Sequence, residues 1–582
     1  MVPVAWFRFD GLTASTDIDE LIAPSADARA FLINIDDVSP RYGELAPVIA
    51  KQLEEDDYVP SNVLAVGPMP GWVLDPSTQY ALGVRRTWGD EGGNLLGVPD
   101  ALWQVAAGAS SGNQAIDALY APLRPALLLA GIDPASVAAA TVFTTGDPVT
   151  DLFEMSETIR ERYNPAIANL AIDEDDGALH ERFCELHGTL NIPEFQEGEP
   201  PFNTGGLFVF GDDGVPVEQT TTDIPIVIAL PLGEMPEEGF PLVMYFHGSG
   251  GVSTQVIDRG EDWTPRLGPS HVLAAHGIGT AGSAHPVNPE RLAPLPSTGF
   301  DYLNIGNLKA FRDTFRQGVF EQRLYLDALL ELRVAPVVTA GCEGLSLPAS
   351  ADSFFFDPEP VMAMGQSMGG MFTNLMAPVD PRIEAIVPTG AGGFWSHFIL
   401  ETTLIAGAGD LIAAILQVDD LTHMHPTLHS LQLAWEPVEA FIYVPRLAAD
   451  PLPGHPARSI YQPIGEQDSY FPALTFDRIT LAYRNQQAGE VVWPEAQEVL
   501  EARGLDGVLD YPISNNRESI DGRSYTGVAV QWAFDGVHDG HEVFQHFDEV
   551  KHQYGCFFET FHATGVGVVP APAELGTDCT QP

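Results

Sequence analysis

From residue 206 onward, apolar segments alternate with an amphipathic segment in a pattern that strongly limits the possible folds. IPIVIALPL and PLVMYFHG have the composition of buried strands, RDTFRQGVFEQRLYLDALLEL from Arg312 has helical spacing, and PVMAM, Pro360 to Met364, is again strand-like. Buried strands that alternate with amphipathic helices are typical of a mainly parallel sheet covered by helices. The sequence therefore predicts the α/β class for residues 206–582.

The sharpest local signal is GQSMGG, Gly365 to Gly370, which lies between PVMAM and the helix-like MFTNLMAP. A strand, a tight glycine-flanked turn and a helix present a serine hydroxyl on a strained turn at the N-terminus of the helix. The motif therefore predicts Ser367 as a nucleophile.

A serine hydroxyl becomes a good nucleophile when a histidine takes its proton and a carboxylate orients that histidine. Asp468 falls just beyond the apolar strand Ile460 to Ile464 and is followed by Pro472, where such an acid loop belongs. We predict Asp468 as the acid, with Glu466 as its competitor.

The loop DGVHDGHEVF, after the strand-like GVAVQWAF, offers two candidates for the base. We favour His541 because it begins a predicted terminal helix, HEVFQHFDEVKHQYGCFFETF, where the loop can aim the ring back at Ser367. His538 is the alternative base. His546 falls inside the same helix and is predicted to be packed or solvated.

Acyl transfer develops negative charge on a carbonyl oxygen, which two fixed backbone amides can stabilise. We predict that one of these amides belongs to Met368, directly after the serine. We predict that the other belongs to Ser249, in the small-residue loop HGSGG that follows the preceding strand. His247 lies at the end of that strand, which favours an orienting role over that of a base.

Residues 206–565, about three-fifths of the chain, resemble the α/β-hydrolase fold of serine esterases and lipases through HGSGG, GQSMGG, GEQDSYFP and DGHEVF in that order. The resemblance implies a Ser367, Asp468 and His541 triad, with Ser249 and Met368 at the oxyanion hole. It implies a serine carboxylic-ester hydrolase that forms an acyl-enzyme and needs no metal or organic cofactor. Gly248 and Ser249 depart from the longer glycine loop of some lipases.

Residues 1–150 contain short strand-like segments separated by proline and glycine, which favour a β-sandwich. Through its closing TVFTTGDP this stretch resembles the immunoglobulin-like N-terminal region of exported bacterial lipase-like proteins. Residues 151–205 are predicted to form a helical connector followed by a loop. An apolar, partly helical insertion at about 394–458 is predicted to cap the catalytic cleft.

Two clusters raise the question of a bound metal. The acidic run IDEDDG from Ile172 lacks the ligand spacing of a calcium loop and is predicted to be a solvated turn. His423, His425 and His429 lie near acidic residues but show no helical pair with a third ligand, so we predict packing in the insertion. No metal is expected at the site.

The chain carries 80 acidic and 27 basic residues, a net charge of −53, and the basic residues include only three lysines, Lys51, Lys309 and Lys551. Nucleic acid is therefore excluded as an expected partner, since it is bound through Lys and Arg. Either a salt-adapted surface or a GC-rich genome would explain this composition, and the sequence does not distinguish the two. The expected partner is a small-molecule or polymeric ester, and the sequence leaves the oligomeric state open.

No apolar run is long enough for a membrane span. The first residues do not read as a signal peptide, so the protein is expected either in the cytosol or, with its export signal removed, outside the cell; the cysteines favour a secreted or cell-surface protein. We favour pairing Cys556 with Cys579 and Cys184 with Cys342, with buried free thiols as the alternative.

The sequence is compatible with two other functions. One is depolymerisation of a polyester such as a polyhydroxyalkanoate, with the N-terminal sandwich binding the polymer surface. The other is a non-catalytic cell-surface or adhesion protein built on a hydrolase fold.

Overall fold

The computed structural model describes residues 3–258, 267–404 and 406–579. The strands are β1 (Ala5–Arg8), β2 (Ala30–Asn34), β3 (Leu45–Ala46), β4 (Val48–Leu53), β5 (Val63–Pro68), β6 (Gln79–Arg85), β7 (Val137–Thr144), β8 (Ile167–Ile172), β9 (Phe183–Glu194), β10 (Thr220–Pro231), β11 (Gly233–Glu234), β12 (Phe240–Phe246), β13 (Gly279–Ser283), β14 (Leu345–Ser346), β15 (Phe356–Gln366), β16 (Ile383–Thr389), β17 (Ser459–Gly465), β18 (Gln486–Ala488), β19 (Val508–Leu509), β20 (Arg517–Glu518), β21 (Ser524–Tyr525) and β22 (Gly527–Trp532).

The helices are α1 (Asp100–Ala107), α2 (Gln114–Tyr120), α3 (Leu123–Leu129), α4 (Pro148–Arg162), α5 (Pro269–Ala274), α6 (Pro289–Leu292), α7 (Ala310–Glu331), α8 (Met368–Val379), α9 (Trp395–Glu401), α10 (Ala408–Leu416), α11 (Pro426–Trp435), α12 (Ala440–Tyr443), α13 (Ala473–Tyr483), α14 (Glu495–Glu501), α15 (Val543–His546) and α16 (Asp548–Thr564). Short 3-10 helices occupy Arg86–Trp88, Pro134–Ser136, Ser253–Val256, Asp301–Leu303, Glu436–Val438, Val444–Arg446 and Gly540–Glu542.

The chain divides into two compact units. The first contains residues up to 147 together with 394–436 and 501–504, and the second contains 148–393, 437–500 and the residues from 505 onward. These bounds differ from the predicted domains chiefly at the predicted insertion, which is divided between the two units. The predicted insertion at 394–458 is helical, but α9, α10 and α11 belong to the first unit and α12 to the second.

The first unit is built around two antiparallel sheets, ordered β1-β5-β4 and β3-β2-β6-β7. The two sheets share one apolar core, to which Leu64 and Val66 contribute from one sheet and Leu32, Leu82 and Val84 from the other. Burying one face of each sheet against the other is the packing of a β-sandwich. The immunoglobulin-like assignment of this region stays a prediction.

The second unit contains an 11-stranded mixed sheet, ordered β19-β18-β22-β17-β16-β15-β12-β13-β10-β9-β8. The strands from β13 to β19 in this order are parallel, and β10, β9 and β8 add an antiparallel edge. A large sheet of this kind with helices confirms the α/β class. Because the carboxyl ends of parallel strands meet at one edge, the loops after β12, β13, β15, β16, β17 and β22 lie at the same edge.

The predicted helical connector at 151–205 is helical only in its first part. Helix α4 ends at Arg162, and IANLAI, Ile167–Ile172, forms β8 instead of continuing the helix. Pro165 lacks an amide hydrogen and clashes with the preceding turn of a helix, so helical spacing cannot continue through it. Strands β8 and β9 then join the large sheet.

Both favoured cysteine pairs are confirmed. Cys184 is bonded to Cys342, and Cys556 is bonded to Cys579. The first bond joins β9 to the segment before β14, and the second fastens the C-terminal tail to α16. Throughout 3–258, 267–404 and 406–579, we find no helix with both the length and the apolar character that a membrane span requires.

Candidate active site

Ser367 occupies the turn between β15 and α8, where the sequence predicted it. Its backbone has φ 59° and ψ −122°, a conformation that non-glycine residues rarely adopt. Its amide donates a hydrogen bond to the carbonyl oxygen of Thr389 at the end of β16, at 2.9 Å. The serine is 5% exposed. The turn is thus held in a strained geometry by the neighbouring strand.

The glycines on either side of Ser367 are required by close backbone approach. A Cβ atom at Gly369 would collide with the carbonyl oxygen of Phe246 in β12, and one at Gly365 would collide with the backbone of Gly369. Helix α8 can therefore start directly against the neighbouring strand only because these positions have no side chain. This explains the spacing of the GQSMGG motif in physical terms.

Asp468 follows β17 by three residues and is almost fully buried, at 8% exposure. Its Oδ1 accepts hydrogen bonds from the amides of Tyr470 and Phe471, both at 2.8 Å. Its Oδ2 accepts one from Nδ1 of His541 at 2.7 Å. The backbone bonds fix the carboxylate, so that one oxygen remains directed at the histidine.

His541 lies in the 3-10 helix Gly540–Glu542, after β22, and is buried at 1% exposure. Because Nδ1 carries the proton donated to Asp468, Nε2 is the basic nitrogen. Within the described residues this Nε2 has no hydrogen-bond partner. The ring stacks on Tyr470 at a centroid distance of 4.1 Å and lies against Gly390, which follows Thr389.

The environment of His541 favours its protonated form. Burial works against a charged ring, but the negative charge of Asp468 and the hydrogen bond to it raise the pKa of His541 above its ordinary value of 6.5. A base that accepts a proton during a reaction benefits from a partner that stabilises the resulting imidazolium.

The loops that carry Asp468 and His541 are locked together. A Cβ atom at Gly465 would collide with the backbone of Gly540, and one at Gly540 would collide with that of Glu466. Glu466 accepts a hydrogen bond from the amide of Phe534 at 2.9 Å, beyond the end of β22. The carboxylate of the competing acid, Glu466, therefore bonds to the backbone of the other loop, whereas that of Asp468 contacts the imidazole.

His538 lies apart from Asp468. Its Nδ1 is 2.6 Å from Oδ2 of Asp535, its side chain is 36% exposed, and its ring stacks on His546 at 4.0 Å. The predicted single helix from His541 is broken into the 3-10 helix, α15 and α16, with an extended residue at Phe547.

The loop HGSGG follows β12, and β12 pairs with β15 so that Phe246 lies opposite Gly365. The hydroxyl of Ser249 donates to the carbonyl oxygen of Gly299 at 2.7 Å, and the amide of Gly250 donates to Oδ1 of Asn288 at 3.1 Å. Met368 is the first residue of α8, and its amide has no acceptor within the helix.

His247 has both ring nitrogens engaged. Its Nε2 accepts from the amide of His285 at 3.0 Å, so Nδ1 carries the hydrogen and donates to the carbonyl oxygen of Gly248 at 2.8 Å. A ring used in this way holds the loop HGSGG in place. This is the orienting position that the sequence favoured over a base.

Sequence reasoning missed the residues that support this loop. Asn288 and Glu290 follow β13, another strand whose carboxyl end lies at this edge, and Glu290 accepts from the amide of Ser253 at 2.7 Å. Tyr302 contacts the Ser249 side chain, and burial raises the pKa of its hydroxyl to about 12. Asn288 and Glu290 could have been predicted from the strand order, because that order places the loop after β13 beside the loop after β12.

The histidines of the 423–429 segment have individual partners. Nε2 of His425 lies 2.9 Å from Oδ2 of Asp56, and His429 packs edge-on against Trp6 at 5.2 Å. Burial lowers the pKa of His429 to about 4. These contacts are those of packed side chains, in keeping with the prediction for this segment.

No protein-family model matches the sequence, and no curated protein matches it. Among solved structures it is similar to acetyl xylan esterase 1 from a Thermoanaerobacterium species, at 12% identity and a TM-score of 0.37 over 67% of this chain and 90% of that one. It is also similar to an acetyl xylan esterase from a Paenibacillus species (13%, 0.35, 66% and 89%) and to a glucuronoyl esterase from Solibacter usitatus (14%, 0.34, 69% and 91%). Similarity this low carries no argument for activity.

Proposed function

We propose that this chain is a serine carboxylic-ester hydrolase with an α/β-hydrolase fold. The observation that carries the proposal is the buried hydrogen bond between Asp468 and His541, in loops at the same sheet edge as the strained Ser367 turn. A buried carboxylate–imidazole pair beside a strained serine is the arrangement that activates a hydroxyl.

In the proposed reaction, Oγ of Ser367 attacks the ester carbonyl carbon while Nε2 of His541 takes the hydroxyl proton. Asp468 holds the ring and stabilises the imidazolium. The imidazolium then protonates the departing alcohol as the carbon–oxygen bond breaks, which leaves an acyl-enzyme. Water, deprotonated by Nε2, attacks the acyl carbon and releases the carboxylic acid, and the proton returns to Ser367.

The proposed oxyanion donors are the amides of Ser249 and Met368. In the HGSGG loop the amides of Gly250 and Gly251 already donate to Asn288 and to the Gly248 carbonyl. This supports Ser249 as the donor that the loop offers. Preorganised amides stabilise the negative charge of the tetrahedral intermediate without reorganising during the reaction.

We further propose that the protein acts outside the reducing cytosol, secreted or at the cell surface. Its two disulfide bonds support this, because disulfides persist in oxidising compartments. The proposed substrate is an ester, and the proposed chemistry uses amino-acid side chains and backbone amides. The polyester alternative stays a prediction.

The test is hydrolysis of a short p-nitrophenyl ester by the full-length protein and matched variants. Ser367→Ala is expected to abolish turnover. His541→Ala is expected to reduce kcat by roughly a thousandfold or more, whereas His538→Ala keeps wild-type rates because it contacts Asp535 instead of Asp468. Retained turnover in folded Ser367→Ala would contradict the proposal, and a greater loss in His538→Ala would reassign the base.

A further inference from the structure

The turn between β8 and β9 gathers metal-ligating side chains away from the proposed catalytic residues. Asp173, Asp176, His180, Glu185 and His187 fall within fifteen residues of sequence. The turn folds back on itself, since the amide of Glu185 donates to the carbonyl oxygen of Gly177 at 2.9 Å. Of these five, only Asp173 and Asp176 lie in the acidic run that the sequence predicted to be a solvated turn.

Glu185 lies at the centre of the cluster. Its Oε2 is 2.6 Å from Nε2 of His180, and its Oε1 is 2.7 Å from Nε2 of His187. Oδ1 of Asp176 lies 3.8 Å from the same nitrogen of His180. One ligand atom from each of Asp176, His180 and Glu185 lies within 4.8 Å of the other two.

Two of the three side chains are buried. His180 is 1% exposed and Glu185 is 4% exposed, while Asp176 is 26% exposed and leaves a path from solvent. The ring of His180 stacks on Phe183 at 4.1 Å, and within the described residues its other nitrogen, Nδ1, has no hydrogen-bond partner. The nitrogen that faces both carboxylates is Nε2, so Nε2 is the candidate ligand atom.

The spacing of these atoms suits a small dication. Zinc binds imidazole nitrogen and carboxylate oxygen at about 2.0–2.2 Å, which places neighbouring ligands of a tetrahedron about 3.4 Å apart. The observed separations of 2.6 Å and 3.8 Å lie on either side of that value. An ion bound by these atoms would need each of these two separations to change by less than about 1 Å.

The charges also suit a dication. The carboxylate of Glu185 faces two imidazoles, those of His180 and His187, at 2.6 Å and 2.7 Å. Two carboxylates, Asp176 and Glu185, would balance two positive charges. An imidazole among the ligands favours zinc over calcium, which prefers oxygen alone.

We propose that Asp176, His180 and Glu185 bind one zinc ion, with water at the fourth position. His187 acts on Glu185 from outside, as the hydrogen-bond partner of its second oxygen, and so fixes the carboxylate. The ion would close the β8–β9 turn next to the disulfide of Cys184. The site is independent of the proposed esterase activity.

The test is calorimetric titration of Zn²⁺ into the full-length protein after chelator treatment, in buffer with salt and excess Mg²⁺ to saturate weak carboxylate sites. We expect one site per chain with a Kd of micromolar or below, and a higher melting temperature with zinc bound. Asp176→Asn, at a partly exposed position, is expected to weaken binding at least tenfold, and Glu185→Gln to remove it. Asp175→Asn is the matched control in the same turn and is expected to bind as wild type.

A second group in the described chain, His276 with Glu559 and Cys579, provides the competing explanation. Cys579 is in a disulfide and offers no thiolate, so His276→Ala is expected to leave zinc binding unchanged. Absence of a stoichiometric site, equal loss in Asp175→Asn, or loss in His276→Ala in place of Asp176→Asn would overturn the proposal. So would calcium binding at the turn in the absence of zinc binding.

Discussion

At the residue scale, Ser367 combines backbone strain with burial. A positive φ in a non-glycine residue costs free energy, of order 1–3 kcal/mol, and persists only where the surroundings enforce it. Here the Thr389 carbonyl and the close approach of α8 to β12 enforce it. Strain of this kind at a buried hydroxyl supports the proposed role of Ser367 as a nucleophile.

The pH dependence of the proposed reaction follows from His541. The base must be neutral at Nε2 to accept a proton, and the charge of Asp468 raises the pKa of the ring above 6.5. Activity is therefore expected to fall as pH decreases through a value above 6.5. The measurement is kcat/KM for a non-ionising ester across pH 5 to 9.

If kcat/KM falls at low pH with a midpoint clearly below pH 6.5, the pKa of His541 is not raised and this prediction is wrong. The His538→Ala variant is the matched control. Removing the His538 side chain is expected to leave the fall of kcat/KM at low pH unchanged, because His538 interacts with the exposed Asp535 and not with the buried Asp468.

Single residues of the candidate site were predictable where a local motif carried them. Ser367 follows from its glycines, and Asp468 and His541 follow from their positions after predicted strands. The sequence favoured Asp468 over its competitor Glu466 by position alone, since the direction of each side chain is not visible in the sequence. The positive φ of Gln467, 60°, turns the chain between them and directs Asp468 towards His541.

At the element scale, the loop HGSGG, which carries the proposed oxyanion donor, depends on a neighbouring turn. Asn288 is buried and accepts the amide hydrogen of Gly250, while its own side-chain amide donates to the carbonyl oxygen of Pro286 at 3.0 Å. Asn288 is thus a positioning residue, one step removed from the proposed donor at Ser249. Removing its acceptor should loosen the loop without removing any catalytic group.

We expect Asn288→Ala to lower kcat about tenfold with little change in KM, less than the hundredfold or more that loss of an oxyanion donor itself costs. Asn288→Asp keeps an acceptor for Gly250 and should recover part of the rate. Asn191→Ala, which removes an exposed asparagine bonded to Asp223, is the control for general destabilisation. Equal effects of the Asn288 and Asn191 changes on kcat would refute the positioning role.

Elements with strong apolar periodicity were predictable, but their ends depended on tertiary contacts. Helix α7 and strands β12, β15 and β17 fall where the pattern indicated them. The predicted terminal helix is interrupted because Phe547 adopts an extended conformation and packs edge-on against Trp532. Asp548 and Glu549 then begin α16, where acidic side chains favour a helix N-terminus.

At the scale of the whole molecule, the net charge of −53 sets the response to salt. The proposed catalytic chemistry uses one carboxylate, Asp468, so most of the acidic groups serve solvation and repel one another. Added salt screens this repulsion, and at 0.1 M ionic strength exposed charges more than about 10 Å apart are largely screened from one another. The melting temperature is therefore expected to rise with sodium chloride, which calorimetry can measure.

A melting temperature that is flat from low to high salt would contradict this view of the charge. It would leave genome composition as the remaining explanation for the acidity. Sucrose at matched osmolarity separates screening from general exclusion effects, since it carries no charge.

The α/β class and the β-rich start of the chain were predictable from apolar patterning. The division into units was not, because α9, α10 and α11 are distant in sequence from the N-terminal strands with which they form a unit. Long-range grouping depends on contacts between segments, and no local pattern in a single sequence reports them.

The proposed function depends above all on Ser367 being an activated nucleophile. The most direct measurement is labelling of the full-length protein with a fluorophosphonate, followed by mass spectrometry of the modified peptide. We expect one adduct per chain, on Ser367, and none in Ser367→Ala. A folded wild-type protein that is not labelled, or that carries the adduct on another residue, would contradict it.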